Sequence, residues 1–376
     1  MRDRWCTPRC DVCAVDMLTW NPSSRYSAAM SDLLTVEELA PGDEESWDAF
    51  VEQHGAATVY HLARWREVIA LAFGHPTHYL LARDAARQIV GVMPIARINS
   101  RLFGHYMVSL PYFTYGGPLG KDSQAIAALT AAACKIGTQF GCKHLEVREQ
   151  SPPQHGWAVR EDKVSMVLPL AETAEGLWKQ LSSQRRSQIR KAQAAGPEVC
   201  VGGAQLLDDF YAVFARNMRD LGTPVYGRIF FETMLATFPE NIRIVSVRLN
   251  GTAVGAAFLI GFRDSMEVPW VSTIREHNAQ FMNTLLYWEI LNAVQKLGYR
   301  NFDFGRSTKN AGTYQFKKQW GAKPRQLFWS YWLAEGAKMP NLTPQSGKFK
   351  LAVRVWQRLP LPLANCIGPV IVKDLP

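Results

Sequence analysis

The spacing of apolar residues divides most of the chain into regular segments. Apolar positions recur every three or four residues in 46–54 and in 62–72, which predicts two helices. Apolar runs at 79–83 and 89–97 are then separated by a polar turn at 84–88. This arrangement predicts two paired strands after the helices.

A loop rich in Pro, Tyr and Gly follows the strand pair, and a further helix follows the loop. We expect this helix to begin near Ser123, whose hydroxyl can cap its first turn, and to end near Phe140, before Gly141. Residues 143–149 then read as another strand.

The same order of elements returns in the second half of the chain. The predicted elements are a strand at 242–248, a turn at 250–251, a strand at 254–260, a helix at 284–297 and a strand at 300–306. Three landmarks recur at nearly constant offsets: Gly91 and Gly255 (164), Pro111 and Pro269 (158), and Gly141 and Gly298 (157). Three matches in the same order indicate a duplicated unit.

The repeat predicts an α+β protein of two tandem units, each a mixed, mostly antiparallel sheet flanked by helices. We assign residues 31–165 to the first unit and 166–335 to the second, which we expect to hold the catalytic cleft. We expect residues 1–30 to be a disordered leader and residues 336–376 to form a basic amphipathic tail.

Composition and charge are those of a globular protein with a basic surface. The chain has 42 Lys and Arg against 33 Asp and Glu, a formal charge of +9, which favours phosphates, nucleic acid or an acidic membrane face as partners. Scattered cysteines indicate a reducing compartment, and the longest apolar run, of about ten residues, is too short to span a bilayer. We therefore expect a cytoplasmic protein, free or peripheral at the inner face of the cytoplasmic membrane.

Two groups of metal-binding residue types are present, and we predict no metal site from either. Cys6, Cys10 and Cys13 have a spacing that can hold an iron–sulfur cluster. Their position at the N-terminus, with no strand before them, favours a disordered arm or translation begun upstream of the true start. His75 and His78 have no Cys or carboxylate partner at ligand spacing.

The segment 301–324 is the strongest candidate for chemistry. A predicted strand delivers Asp303 and Arg306, and Tyr314, Phe316 and Lys317 follow a polar loop. A carboxylate at a strand end can accept a proton from an amine or hold the amine in place. A lysine behind an aromatic ring can neutralise a phosphate or an oxyanion. We predict catalytic roles for Asp303, Tyr314 and Lys317, and substrate contacts for Arg306 and Phe316.

Five further residues are candidates for substrate binding. Asn283, near the start of the second repeated helix, marks a place for a pyrophosphate or a nucleotide end, or it simply caps the helix. Trp270 and Ser272 lie in the loop before that helix, where we place the active cleft. Tyr112 and Tyr115 lie in the equivalent first loop, and they contact an acceptor or serve only the turn.

A basic segment, 183–196, separates the two units and contains Arg190 and Lys191. It resembles the Arg-x-x-Ile-Arg-Lys-Ala signature of the Fem peptidyltransferases, and 278–298 and 301–324 resemble the second domain of that family. The resemblance extends to the related BioF2-like acetyltransferase proteins. It is closest to the Fem-like branch associated with exosortase/PEP-CTERM and exopolysaccharide gene clusters.

The resemblance implies two domains of the GNAT (acyl-CoA N-acyltransferase) type and transfer of an activated acyl group to an amine. It implies no metal, no permanently bound cofactor and no covalent enzyme intermediate. The Phe-Lys pair of the family falls on Phe316 and Lys317, and Arg190 and Lys191 are placed to meet phosphates. The tRNA-binding coiled-coil arm of some members is absent, and neither helix is preceded by the usual acyl-CoA loop. The donor is therefore open among aminoacyl-tRNA, acyl-CoA and acyl carrier protein.

Two functions compete on these observations. The first is an N-acyl or aminoacyl transferase that acts on an amine-bearing envelope or polysaccharide precursor. The second is a non-catalytic double unit whose basic surface binds nucleic acid or an anionic glycolipid.

Two interpretations are open for the C-terminal tail. Residues 347–359 place Phe349, Val353, Trp356 and Pro360 on one stripe of a basic helix. Such a helix either contacts an anionic membrane or packs on the second unit.

Overall fold

The computed structural model describes residues 34–101, 103–340 and 347–375. The predicted leader, with Cys6, Cys10 and Cys13, lies outside the described residues. The strands are β1 (Thr35–Glu38), β2 (Thr77–Arg83), β3 (Ile89–Ser100), β4 (Gly104–Val108), β5 (Leu119–Gly120), β6 (His144–Glu149), β7 (Ala158–Arg160), β8 (Lys163–Pro169), β9 (Glu198–Gly202), β10 (Ile242–Leu249), β11 (Thr252–Phe262), β12 (Ser265–Thr273), β13 (Asn301–Thr308), β14 (Lys323–Gln326) and β15 (Phe328–Leu333). The α-helices are α1 (Glu44–Gln53), α2 (Trp65–Phe73), α3 (Ser123–Gln139), α4 (Ala174–Gln180), α5 (Ser183–Gln193), α6 (Leu207–Leu221), α7 (Arg228–Thr237), α8 (Met282–Lys296), α9 (Gly312–Lys318), α10 (Gly347–Trp356) and α11 (Leu361–Val372).

The strands form two mixed sheets that repeat one layout. The first sheet has the order β1-β2-β3-β4-β6-β15-β7, with β5 beside β3, and the second has the order β14-β8-β13-β12-β11-β10-β9. In each, three antiparallel strands lead through a helix, α3 or α8, into a strand parallel to the third. The predicted α+β class and the duplicated order of elements are confirmed.

The two sheets exchange strands. β8, in the connection between the units, pairs with β13 and β14 of the second sheet. β15, near the end of the second half, pairs with β6 and β7 of the first sheet. The predicted ranges 31–165 and 166–335 therefore do not each contain a complete sheet, because hydrogen bonding between strands overrides their order along the chain.

Two helix starts differ from the predicted caps. The Asp122 carboxylate, not the Ser123 hydroxyl, caps α3 by accepting hydrogen bonds from the Gln124 and Ala125 backbone N–H groups at 3.0 and 2.9 Å. Asn283 does not cap α8, because the helix begins one residue earlier, at Met282. The residue before it, Phe281, has a left-handed backbone (φ 59°) that turns the chain into the helix.

An aromatic core lies between the two units and joins them. Phe113 of the first unit packs against Trp270 and Phe230 of the second, with ring centroids 5.7 and 6.0 Å apart. Trp65 of α2 packs on Phe238, just after α7, at 4.7 Å. These side chains belong to one buried cluster that continues from the first sheet to the second. The two units therefore share a core, and the first is held rigidly against one face of the second sheet.

A separate cluster lies on the other face of the second sheet, under α8. Within the described ranges, no helix is both long enough and apolar enough to cross a membrane.

Candidate functional site

The strands β12 and β13 separate in the middle of the second sheet. They pair in parallel at Ser265–Asn301, Met266–Phe302 and Glu267–Asp303, and no further pairs follow. Two local features agree with the separation. Pro269 has no N–H group to offer a neighbouring strand, and Gly305 has a left-handed backbone (φ 74°) that redirects β13.

The separation opens a cavity of about 880 Å³. Its walls come from the separated halves of β12 and β13, the first turn of α8, the helices α6 and α9, and the loop 112–114 of the first unit. A wedge between two strands that ends at a helix N-terminus is suited to an extended ligand with an anionic group, because free N–H groups lie at one end.

A second cavity, of about 330 Å³, lies between the second sheet and the first unit. Its lining includes residues 55–60 and Tyr115 from the first unit, and Asp303 and Arg325 from the second. Glu267 lines both cavities, so this residue lies between the smaller and the larger cavity. Two ligands that entered from opposite sides would meet beside Glu267.

Asp303 is held in place by three donors. The Tyr115 hydroxyl donates to its Oδ2 at 2.5 Å, the Ser165 hydroxyl donates to Oδ1, and the Gly305 N–H donates to Oδ1 at 2.8 Å. These donors come from the first unit, from β8 and from β13. Asp303 is therefore a buried, oriented carboxylate that also joins the two units.

Glu267 is buried next to Asp303, and its pKa is raised to about 8. Burial is the largest cause, since a charged carboxylate loses its hydration, and repulsion from Asp303 adds to it. The hydroxyl of Tyr60 and the cations Lys317 and Arg306 oppose the shift. A carboxyl group with this pKa holds its proton at neutral pH and can exchange it with an amine.

Lys317 lies on the opposite side of the larger cavity, on α9. Its Nζ donates to the carbonyl oxygens of Gly305 and Arg306, both at 2.9 Å. Among the described residues this accounts for two of the three N–H bonds of the ammonium and leaves one for a ligand. Burial lowers the pKa of Lys317 to about 8, against the opposing effect of Asp303 and Glu267.

Arg306 places a second cation in the larger cavity. Its guanidinium stacks over the Trp329 ring at 5.1 Å, and its side chain remains accessible to solvent within the cavity. Among the described residues, no carboxylate forms an ion pair with it. Lys317 and Arg306 together make this cavity suited to a phosphate or an oxyanion.

The equivalent place in the first unit is filled by protein. Glu146 lies there, at the last parallel pair between β4 and β6, as Asp303 does in the second unit. The buried Arg148 pairs with Glu146 at 2.7 Å and donates to the carbonyls of Leu110 and Phe113. Tyr331 also donates to Glu146, at 2.9 Å. The two repeats are therefore not equivalent, and only the second has an open wedge at this position.

The structure brings most of the sequence-predicted residues together. Those that line the larger cavity are Tyr112, Trp270, Ser272, Asn283, Arg306, Phe316 and Lys317. Asp303 and Tyr115 line the smaller one. Tyr112 also has a structural task, since its hydroxyl donates to the carbonyl of Lys373, at the end of α11, at 2.5 Å.

Three predicted residues lie outside both cavities. Tyr314 is partly buried and packs against the cluster under α8. Arg190 and Lys191 are exposed on the outer face of α5. The residue of this segment that approaches the site is the buried Arg185, whose guanidinium lies 5.0 Å from the Phe316 ring and donates to Thr284 Oγ1 at 3.4 Å.

Sequence reasoning missed Glu267 and Tyr60. Glu267 is an isolated acid in an otherwise apolar strand, and its place opposite Asp303 follows from the parallel register of β12 and β13. That register becomes predictable once the two repeats are aligned. Tyr60 carries no comparable signal, because its contact with the site depends on how the first unit packs on the second.

Comparison with known proteins gives one matching family model and several solved structures with a similar fold. Residues 180–318, which contain Glu267, Asp303 and Lys317, match the model of the acetyltransferase (GNAT) domain. No curated protein matches the sequence.

Three solved structures share the fold across most of the chain. FemX has a TM-score of 0.60 and 12% identity, covering 78% of this chain and 96% of its own. A tandem GNAT protein from the clavulanic acid biosynthesis pathway has a TM-score of 0.52 and 14% identity, with 82% and 100% coverage. L-PGS from Bacillus licheniformis has a TM-score of 0.53 and 12% identity, with 86% and 99% coverage. At such identities the likeness shows a shared fold.

The described residues contain no group of three His, Cys, Asp or Glu side chains arranged to hold a metal ion.

Proposed function

We propose that this protein is an acyltransferase that moves an activated acyl group to an amine in the wedge of its second unit. The observation that carries the proposal is the position of Glu267. Glu267 lies between the two cavities, and two cations, Arg306 and Lys317, line the larger one. Acyl transfer to an amine needs a proton acceptor between two substrates and positive charge near the carbonyl that is attacked.

The chemistry assigns each cavity a substrate. The activated acyl group lies in the larger cavity, with its phosphate-bearing carrier toward Lys317, Arg306 and the start of α8. The amine enters through the smaller cavity and attacks the acyl carbon. A C–N bond forms while the C–O or C–S bond to the carrier breaks. The proton lost by the nitrogen passes to Glu267 in its carboxylate form and then to the departing oxygen or sulfur.

Lys317 and Asp303 have supporting roles in this reaction. The remaining N–H bond of the Lys317 ammonium stabilises negative charge on the acyl oxygen or on the carrier phosphate. Asp303 accepts three hydrogen bonds that fix its position, and repulsion from it adds to burial in raising the pKa of Glu267. The geometry supports Asp303 as a positioning residue, whereas the sequence predicted direct catalysis.

The donor belongs to one of three classes: aminoacyl-tRNA, acyl-CoA or acyl carrier protein. All three carry phosphate on the group that bears the acyl: on the terminal nucleotide of aminoacyl-tRNA, and at the far end of the pantetheine arm in acyl-CoA and acyl carrier protein. An extended carrier of this kind suits the cationic cavity. For the acceptor we propose an amine on an envelope or polysaccharide precursor. The support for this finer assignment is the resemblance of 183–196 and 301–324 to the Fem peptidyltransferases, together with the fold shared with FemX.

A reconstituted transfer assay tests the proposal. Purified protein is given each donor class, labelled in the acyl group, with a panel of amino sugars and peptide amines, and amide formation is followed by mass spectrometry. We expect one donor class to give product, and Glu267→Gln and Lys317→Met to reduce turnover by about 100-fold or more. The matched control is Glu289→Gln, since Glu289 is half-buried on α8 and lines neither cavity.

Two results would count against the proposal. Turnover at the wild-type rate in both Glu267→Gln and Lys317→Met would exclude the roles assigned to Glu267 and Lys317. Absence of product with every donor class, combined with tight and salt-sensitive binding of RNA or anionic glycolipid, would instead support the non-catalytic alternative.

A further inference from the structure

The C-terminal helices α10 and α11 expose a row of apolar side chains. Over its 12 residues α11 has no charged side chain. Ala364, Gly368 and Val372 face the protein and are buried, whereas Leu363, Ile367 and Val370 face outward, Val370 with 64% of its surface exposed. We call this outer face, together with the exposed Leu351 and Val355 of α10, the α10–α11 surface.

The turn between α6 and α7 extends the α10–α11 surface. α11 lies tightly on this turn, because a Cβ on Gly368 would be 2.8 Å from the Val225 nitrogen. α10 is equally close, since Val353 packs directly over Gly222. Leu221 and Ile229, which flank the turn, are both about half exposed. Apolar side chains of α6, α7, α10 and α11 thus border one another on one side of the molecule, as expected for an interaction site.

Of the stripe predicted from the sequence, Pro360 is exposed, whereas Val353 and Trp356 are not. Val353 and Trp356 are partly buried on the side of α10 that packs on α6, as the packed alternative required. The exposed apolar residues, Leu351 and Val355, lie on the other side of the helix. Apolar side chains are therefore left in water after α10 has already packed on the second unit.

Basic residues border this apolar row. Arg354, Arg358 and Lys373 are exposed, and among the described residues none of them forms an ion pair. The acids nearby are turned away or paired. Asp374 is partly buried, and its charge adds to burial in raising the pKa of Tyr106 and Tyr112 in the first unit. Asp220 pairs with Arg219.

We propose that the α10–α11 surface binds the face of an anionic lipid bilayer. With 10 and 12 residues, neither helix can span a membrane, so both would lie in its plane. An apolar row with a basic border matches acyl chains below anionic headgroups. Charge also argues against a second copy of the chain on this surface, because a symmetric contact would bring the same three cations toward each other.

Docking in this orientation would place the larger cavity beside the lipid. Leu221 belongs both to the exposed apolar row and to the lining of that cavity. A substrate with a lipid anchor could then reach the cavity while its anchor stays in the bilayer. The binding proposal rests only on the surface and does not depend on the proposed acyl transfer.

The test is co-sedimentation of the full-length protein with vesicles of phosphatidylglycerol and phosphatidylcholine, and with vesicles of phosphatidylcholine alone. We expect binding to the first kind and at least about tenfold less to the second. Ile367→Glu should weaken binding to the anionic vesicles by at least about tenfold. The matched control is Val201→Glu, which places the same acid at an exposed apolar position on the edge strand β9.

Three outcomes would overturn the proposal. They are no binding to anionic vesicles at low salt, equal loss of binding in Ile367→Glu and Val201→Glu, and a wild-type dimer that Ile367→Glu dissociates without changing vesicle binding. The last outcome, measured by analytical ultracentrifugation, would assign the surface to a second copy. Folding of both variants is checked by thermal unfolding, which an exposed substitution should leave nearly unchanged.

Discussion

Glu267 and Asp303 lie directly opposite each other in the last parallel pair before β12 and β13 separate. Asp303 is held by Tyr115, Ser165 and the Gly305 N–H, whereas Glu267 opens onto both cavities. The two carboxyl groups have different surroundings, because Asp303 accepts three hydrogen bonds whereas burial raises the pKa of Glu267 to about 8. This difference makes Glu267 the group that can exchange a proton with substrate.

The pH dependence of transfer should follow Glu267. Its pKa is about 8, and the carboxylate is the form that accepts a proton. We therefore expect kcat/KM of the wild type to rise tenfold per pH unit up to an inflection near pH 8, and then to fall at higher pH, where the Lys317 ammonium, with a pKa of about 8, loses its proton. Glu267→Gln should lose most of its activity and lack this inflection. A profile measured on both proteins with one donor–acceptor pair decides the matter. An unchanged inflection in the variant would assign the proton transfer to another group.

The pH dependence of stability should also follow Glu267, but stability should fall as the pH rises toward about 8, whereas activity rises. The folded-state pKa of Glu267 is raised from an ordinary value of 4.5 to about 8, so the folded protein holds a proton that the unfolded chain releases between these values. Stability from this group is therefore full below the lower value and is lost as the pH rises toward the higher one. Since Gln resembles the protonated acid, Glu267→Gln should match the wild type near about pH 5 and unfold at a higher temperature near about pH 9. Equal melting temperatures at both pH values would show that Glu267 is not buried as a neutral acid.

Arg148 and Arg306 offer a comparison of two arginines on one aromatic ring. Both guanidiniums lie over Trp329, at 4.4 and 5.1 Å. Arg148 is buried with Glu146, so Arg148→Ala leaves a buried carboxylate without its cation and should cost about 3–5 kcal/mol of the free energy of unfolding. Arg306 is open to the cavity and has no such partner among the described residues. Arg306→Ala should therefore weaken donor binding, seen as a raised KM, with little change in stability. Urea unfolding and steady-state kinetics of the two variants distinguish the structural role of Arg148 from the binding role of Arg306. An equal loss in the free energy of unfolding in both variants would contradict these roles.

The sequence predicts the order of elements well, because that order depends on local spacing. The helices at 46–54 and 62–72, both hairpins and the strand carrying Asp303 all lie close to their predicted positions. Predicted helix starts were less accurate, since Asp122 and Phe281 occupy the cap positions and side-chain geometry decides between neighbouring residues.

The site was only partly predictable for a different reason. Asp303, Arg306 and Lys317 come from one stretch of about 15 residues, so the local pattern was enough to identify them. Glu267 and Tyr60 reach the site through strand pairing and packing between units, which spacing along the chain does not reveal. Arg190 and Lys191 were selected from the signature, yet the same helix directs Arg185 inward, because a shift of a few residues changes the face of a helix.

The pairing of β15, from the second half of the chain, with β6 and β7 of the first sheet predicts that the two units depend on each other to fold. Among the described strands, β7 pairs only with β15, and β6 has β15 as its outer neighbour. A fragment of residues 34–161 lacks β15 and has an incomplete sheet. A fragment of residues 162–340 contains β15 without a partner strand. We expect neither fragment to give a cooperative thermal transition alone, and both to associate into a soluble complex when they are co-expressed.

Cleavage of the intact protein provides the control. A protease site placed in the turn between β7 and β8 cuts the chain without removing a strand, so the two pieces should stay together through the pairing of β15 with β6 and β7 and through the shared aromatic core. Size-exclusion chromatography of the cut protein checks this expectation. A fragment 34–161 that unfolds cooperatively on its own would mean that β15 is dispensable. The shared core, rather than the exchanged strand, would then be what joins the two units.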